Sequence, residues 1–462
     1  MRKAAIPLVG LMFLAASWGA SPAQSATTWK KVGNVFANFA QPGLERTSDG
    51  VLHAVWVHEA NNTFTLEHTP ISAGGAVGST ILVQSNWVQM AAVPDLVPDP
   101  QSGGLRAFWG GTRTTNFGET NTDLNTATAP ASGTPWTLTT GNVAQGAGGF
   151  TGEVSVTLDA AGNYFEGSER AFVHRGLDPN TTNYDYEGQF GSGNGYYAGL
   201  ATDTVSGNVW MAWFSLSTGH NGLYAQQVDT TTGAPVGTPS HLATSTDALI
   251  ERTPIAARAG GGIDVAYISG SNIDLWKIGP SGPGAPIVIA KGTALSSPSH
   301  PAVAADGNGR VWVAWAKGGV IDARRSNRAG TLFGATSTLR VPSGLSLYEL
   351  TINAQASTLD VLGTFSDVNS NYTLQAAQIH PKLSLAATPT SFKGKKTVTF
   401  KVTDAGAPVS GALVSGGGKH AKTNASGVAK IAFGPYAKKT VIKVTASHAG
   451  YVAATIKLVA SP

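Results

Sequence analysis

The chain has 462 residues, with 57 Gly, 24 Pro and no Cys, and only 13% of its residues are charged, about half of the roughly 25% usual in soluble domains. Its 42% apolar content is enough for two or three domains at ~150 residues each. Low charge excludes long coiled coils and solvating tails, and the missing cysteines exclude a disulfide framework, a thiolate metal site and a cysteine nucleophile.

At the start of the chain, Met1, Arg2 and Lys3 precede an apolar run from Ala4 to Ala16, followed by small residues through Ala26. That is the layout of a secretory signal, so residues 1–26 are expected to be a signal peptide. The expected location is secreted, extracellular or cell-surface associated. No later run is apolar over the ~20 residues that a bilayer span needs.

The net charge of +4 conceals two opposite regions. Residues 382–462 hold twelve Lys, no Arg and the single acid Asp404, a net of +11; residues 27–381 hold five Lys, twelve Arg and 26 acids, a net of −9. The break near His380 and Lys382 predicts a domain boundary, with one unit over 27–381 and a second over 382–462.

Within the first unit a motif recurs: an apolar strand, a polar Asp-Gly turn and a second strand ending in an aromatic, clearest in HPAVAADGNGRVWVAWAKG (300–318). The aligned aromatics Trp56, Trp109, Trp213, Tyr267 and Trp315 stand 53, 104, 54 and 48 residues apart. The interval of 104 spans two periods, its missing copy being GEVSVTLDAAGNYFEGSER (152–170); a seventh copy is LTINAQASTLDVLGTF (350–365). Further short β-branched runs between turn residues give each unit four antiparallel strands, which predicts an all-β chain with a seven-bladed β-propeller. The last unit stops after three strands, while WKKVGNVF (29–36) is an orphan strand. Pairing the orphan with Tyr372–Ile379 would close the ring and cover an exposed edge.

These repeats resemble the sialidase-like, or BNR-repeat, class of secreted propellers. No intact Asp-box of the form Ser-x-Asp-x-Gly-x-Thr-Trp is present, and the arginine triad and Tyr/Glu pair of that class have no residue-by-residue counterparts, so the resemblance implies a fold rather than an activity. The tail, with Pro408 to Val414 followed by Thr423, Gly427 and Ala429, resembles bacterial immunoglobulin-like and carboxypeptidase-regulatory-like domains. That resemblance implies a small Ig-like β-sandwich acting as spacer or adhesion module.

Repetition of the marker aromatics at one blade position predicts that they fill the space between blades rather than bind sugar. Up-and-down strands put the segment entering each blade beside the central channel, so residues about fifteen before each marker predict a ring around its mouth: Asp95, Glu153, Tyr197, Arg252, His300 and Glu349. Either this is a wet channel or a ligand site. In the second case Arg252 holds a carboxylate and Glu153 or Glu349 accepts hydroxyl protons. Tyr196 and Tyr197 close the aromatic segment NYDYEGQFGSGNGYYAG (183–199), whose ring faces suit stacking on sugar C–H surfaces. The triplets at Arg46 and Arg252 look alike but stand 10 and 15 residues before their markers, so Arg46 is left out of the ring. His53 and His58, five apart on a strand, point to opposite faces, which argues against a shared metal ion; no metal or cofactor is expected.

No phosphate loop, His-Glu-x-x-His helix or nucleophile elbow is present. The leading expectation is an extracellular carbohydrate- or surface-ligand-binding propeller, monomeric and without a nucleic-acid partner. The alternatives are a glycan-active enzyme, either a sialidase-like glycoside hydrolase or a polysaccharide lyase, and a structural envelope protein. The lysines at 393–396 and 438–439 are a candidate contact for an anionic polymer.

Overall fold

The computed structural model describes residues 28–112, 124–138, 154–168, 172–176, 186–189, 195–215, 219–242, 245, 252–292 and 301–462. Every regular element among them is a β-strand, and no helix is long and apolar enough to cross a membrane. The signal-like segment 1–26 lies outside the described residues.

Between residues 30 and 379 the described strands form seven antiparallel sheets of four or five strands. In chain order their first strands are Gly43–Arg46, Asp95–Asp99, Val154–Leu158, Gly195–Thr202, Ile255–Ala257, Ala302–Ala305 and Ser346–Ala354, each beside the first strand of the next sheet. The hairpin to the second strand reuses one device. Asp159 Oδ1 accepts from the N–H groups of Ala161 and Asn163, and Asp306 Oδ1 from those of Asn308 and Arg310, all at 2.9 Å. Gly162 and Gly309 then turn the chain at φ of +86° and +75°, where a side chain would be strained.

Each second strand is covered on both faces, because consecutive sheets stack. Leu52, Ala54 and Trp56 pack toward the seventh sheet with Leu362 and Leu374, whereas Val55 and Val57 pack toward the second with Leu105 and Trp109. The period-two alternation of a strand therefore feeds two cores from one run of apolar residues. The same sharing joins Phe108 to Tyr164, Phe165 to Trp213, Phe214 to Tyr267, Ala266 to Trp315 and Trp312 to Val361. All five marker aromatics are buried in these inter-sheet cores, as the repeat predicts. Sheets stacked face to face around their first strands are the layout of a β-propeller.

The seventh sheet takes its outer strand from the start of the chain. Lys30–Asn34 runs antiparallel to Tyr372–Ile379, Lys30 opposite Ala376 and Asn34 opposite Thr373, so the orphan strand pairs where the sequence places it. It is also fixed to the first sheet: Trp56 Nε1 donates to Asn34 O at 3.0 Å, and a Cβ on Gly33 would lie 2.5 Å from Trp56 Cζ2. Only glycine lets the strand pass the indole this closely.

The tail forms two more sheets. One centres on Lys396–Asp404, flanked by Ser384–Thr388 and Val428–Phe433; the other runs in the order Ser391–Lys393, Ala454–Ser461, Thr440–Ser447, Leu413–Gly416, Lys419–Lys422. They enclose a single core that includes Phe392, Phe400, Phe433, Val444 and Leu458, a face-to-face sandwich packing. Asp404, the tail's lone acid, is buried and tied to the sixth sheet: Arg310 Nη1 donates to it at 2.8 Å and Arg325 Nη2 closes on the same oxygen. The Arg325 guanidinium also lies 5.5 Å from the Trp312 ring centre and 5.7 Å from that of Tyr451. The tail is thus docked through an aromatic-flanked ion pair.

Candidate ligand site in the central channel

The first strands surround a cavity of about 230 Å³ to which every one of the seven sheets, or the segment leading into it, contributes lining residues. Several of these segments open on proline: Gln41-Pro42, Thr253-Pro254 and His300-Pro301. Proline is at home at the first residue of a strand, where no ladder N–H is required of it.

Arg252, just ahead of Ile255–Ala257, reaches across the channel. Its Nη1 donates to Asp95 Oδ1 at 3.2 Å, its Nη2 to Pro94 O at 3.1 Å, and the same nitrogen to Val154 O. Asp95 is saturated in turn, accepting from Leu96 N at 2.9 Å and from Val156 N at 2.7 Å. One ion pair therefore ties the second, third and fifth sheets together. Burial pushes the Asp95 carboxyl above its usual range, against the pull of the Arg252 charge and of the two amide donors.

Two further buried residues meet between the first and seventh sheets. Gln41 Nε2 donates to Glu349 Oε2 at 2.7 Å, and Gln41 lines the cavity. Glu349 thus bears on the site through Gln41, whose amide it orients. Nearby, burial pushes the Glu45 carboxyl up to about 7, helped by the charge of Asp95. At that value it is half protonated near neutral pH.

Three buried polar atoms of lining residues have no hydrogen-bond partner among the described residues: Arg252 Nε, Thr253 Oγ1 and Thr351 Oγ1. Leaving such an atom unsatisfied costs about 1–3 kcal/mol. Leu44, Leu200, Ile255 and Leu350 supply apolar surface between them. The polar residues of the lining, Gln41, Asp95, Ser155, Arg252 and Asn353, set among these apolar walls are the makeup of a small-molecule site.

Of the residues named from sequence, the structure brings Asp95 and Arg252 into direct contact and places Glu349 behind Gln41. Glu153 and His300 lie outside the described residues, as do the side chains of Tyr196 and Tyr197, whose backbone belongs to Gly195–Thr202. Arg46 pairs instead with Asp360 at the far end of its strand, consistent with its different register. His53 and His58 do diverge: His53 Nδ1 meets His68 Nε2 at 2.9 Å, and His58 Nδ1 meets Glu67 Oε1 at 3.1 Å. No cluster of three or more metal-ligating side chains occurs among the described residues. Gln41 was missed although it stands fifteen residues before Trp56, the offset that marks the ring. Thr253, just ahead of Ile255–Ala257, was missed too, although it stands fourteen residues before Tyr267, the offset of Asp95 from Trp109; Thr351 lies within Ser346–Ala354, two residues after Glu349.

No family model matches the chain, and no curated protein matches it either. Solved structures similar to it include an α-L-arabinanase of Penicillium chrysogenum complexed with arabinobiose, at TM-score 0.43 and 13% identity over 77% of this chain and 98% of that one. Another is the K499G mutant of NanB sialidase from Streptococcus pneumoniae, at TM-score 0.43 and 12% identity over 77% and 70%. The polysaccharide lyase Uly1 gives TM-score 0.45 and 9% identity over 79% and 94%. Likenesses this distant say nothing about the chemistry of the channel.

Proposed function

We propose that the chain is a secreted, monomeric binding protein: a signal peptide over 1–26, a seven-bladed β-propeller over 27–381 that takes a glycan or comparable surface ligand in its central channel, and an Ig-like sandwich over 382–462. The observation that carries this reading is the cavity of about 230 Å³, whose lining, drawn from all seven sheets, sets the polar residues Gln41, Asp95, Ser155, Arg252 and Asn353 among apolar ones. A ligand rich in hydroxyls suits such polar groups. Its C–H faces lie against Leu44, Leu200, Ile255 and Leu350. In this reading Glu153, His300, Tyr196 and Tyr197 complete the rim, and Arg252 is first a latch between sheets.

A glycan-array screen of the purified protein, followed by product analysis of every hit, tests the proposal. Saturable binding without turnover supports it, and the absence of any glycan ligand refutes it in favour of a structural envelope role. Turnover would shift the reading to a glycoside hydrolase or polysaccharide lyase.

A further inference from the structure

The tail sheet that ends on Lys419–Lys422 has one face on the sandwich core and one facing outward. On the outward face Lys443 and Lys457 stand directly opposite each other on neighbouring strands, and Thr445 and Thr455, the next outward pair, share a hydrogen bond of 3.1 Å between their hydroxyls. Lys393, opposite Ser461, lies toward one corner of this face, and Lys422, opposite Leu413 and through it Ser447, lies toward the other. With strands about 4.8 Å apart and ~3.3 Å per residue along them, the four lysines make a diagonal stripe roughly 30 Å long.

All twelve lysines of residues 382–462 are exposed, while the only acid, Asp404, is buried against Arg310 and Arg325. Docking the tail on the sixth sheet therefore removes its one negative side chain from the surface. What remains outward carries twelve lysines and no acidic side chain of residues 382–462. Like charges directly opposed on adjacent strands destabilise a sheet, and a bound anion bridging Lys443 and Lys457 relieves that repulsion.

We infer that this face binds a linear polyanionic polysaccharide, its carboxylates set against the lysine stripe and its hydroxyls beside the paired threonines. A flat face suits an extended polymer, whereas a small anion needs a pocket. Nucleic acid is disfavoured by the groups present: residues 382–462 contain no Arg for bidentate base or phosphate contacts, and the outward positions of these strands hold no Phe, Tyr or Trp for base stacking, His420 opposite Ser415 being their one ring. The inference stands apart from the channel reading.

The test is titration of the full chain with polygalacturonate at low and high salt, comparing wild type with Lys443→Gln/Lys457→Gln. A control, Lys401→Gln/Lys430→Gln, removes the same charge from the outward face of the other sheet. The expected result is binding at low salt that is lost near 1 M, where the Debye length falls to ~3 Å. The first pair should lose about tenfold in affinity and the control pair less than about threefold, because only the first pair loses charge-assisted contacts to the polymer. No binding at low salt, or equal loss in both variants, overturns the site. Tighter binding of single-stranded DNA or of phosphatidylglycerol vesicles than of polygalacturonate overturns the class of partner. All four lysines are exposed, and far-ultraviolet circular dichroism of each variant confirms that the fold is retained.

Discussion

Replacing Arg252 by Ala deletes three hydrogen bonds that cross the channel, to Asp95, Pro94 and Val154, and leaves Asp95 buried opposite no cation. Removing one partner of a buried ion pair costs about 3–5 kcal/mol. The Arg252 side chain is 18% exposed, so solvent recovers part of this and the expected loss is about 3 kcal/mol, the low end of the range. The Asp95 carboxyl, already raised by burial, rises further without its cation. A carboxyl with a raised folded-state pKa favours the fold at low pH and penalises it as pH climbs from the unfolded pKa through the folded one. The deficit of Arg252→Ala should therefore be larger at pH 7 than at pH 4. Urea unfolding followed by tryptophan fluorescence at both pH values measures it, and adding Asp95→Asn should recover about 1 kcal/mol at pH 7, since the two residues are directly coupled. A deficit within about 0.5 kcal/mol, the norm for an uninvolved surface position, or no recovery in the double variant, would refute the latch.

Other consequences follow from the same packing. Burial holds His68 down at about 3 and lowers His53 as well; both fold as neutral rings, so stability is full above ~6.5 and falls at up to ~1.4 kcal/mol per pH unit per histidine as pH drops below it. A pH series of urea midpoints should show this slope in the wild type and a flatter one in His68→Gln. Asp404→Ala strands Arg325 against Tyr451 and should cost about 3 kcal/mol, read as faster proteolysis near residue 381; cleavage at the wild-type rate would count against the docked tail. Trp56→Ala, emptying the core shared by the first and seventh sheets, should cost about 3–5 kcal/mol, and a loss below ~1 kcal/mol would contradict closure through that core.

Much of the architecture is legible in the sequence because it repeats. Trp56, Trp109, Trp213, Tyr267 and Trp315 each occupy a second strand covered on both faces, and the turn before each takes a positive φ at a glycine: Gly50, Gly103, Gly207, Gly261 and Gly309. The orphan strand was readable for a different reason: a three-stranded last unit leaves an unpaired edge. The latch was not legible, because Arg252 and Asp95 are 157 residues apart and nothing local distinguishes a cation that faces a ligand from one that faces a carboxylate. The Asp404 contact was hidden likewise, its partners Arg310 and Arg325 lying 94 and 79 residues earlier. The threonine hydroxyls at the channel became notable only through the absence of a partner, which is a property of the assembled sheets and not of any residue.

The channel claim is tested most directly by Thr351→Trp, measured by titration calorimetry with the strongest array ligand. Thr351 is half-buried and lines the cavity, so an indole there fills space that a ligand in the channel needs. Circular dichroism and a cooperative urea transition check that the variant folds, with an overpacking cost of about 1–3 kcal/mol. The account predicts that affinity for that ligand falls by about tenfold or more. Unchanged affinity in a folded variant would contradict the channel as its site.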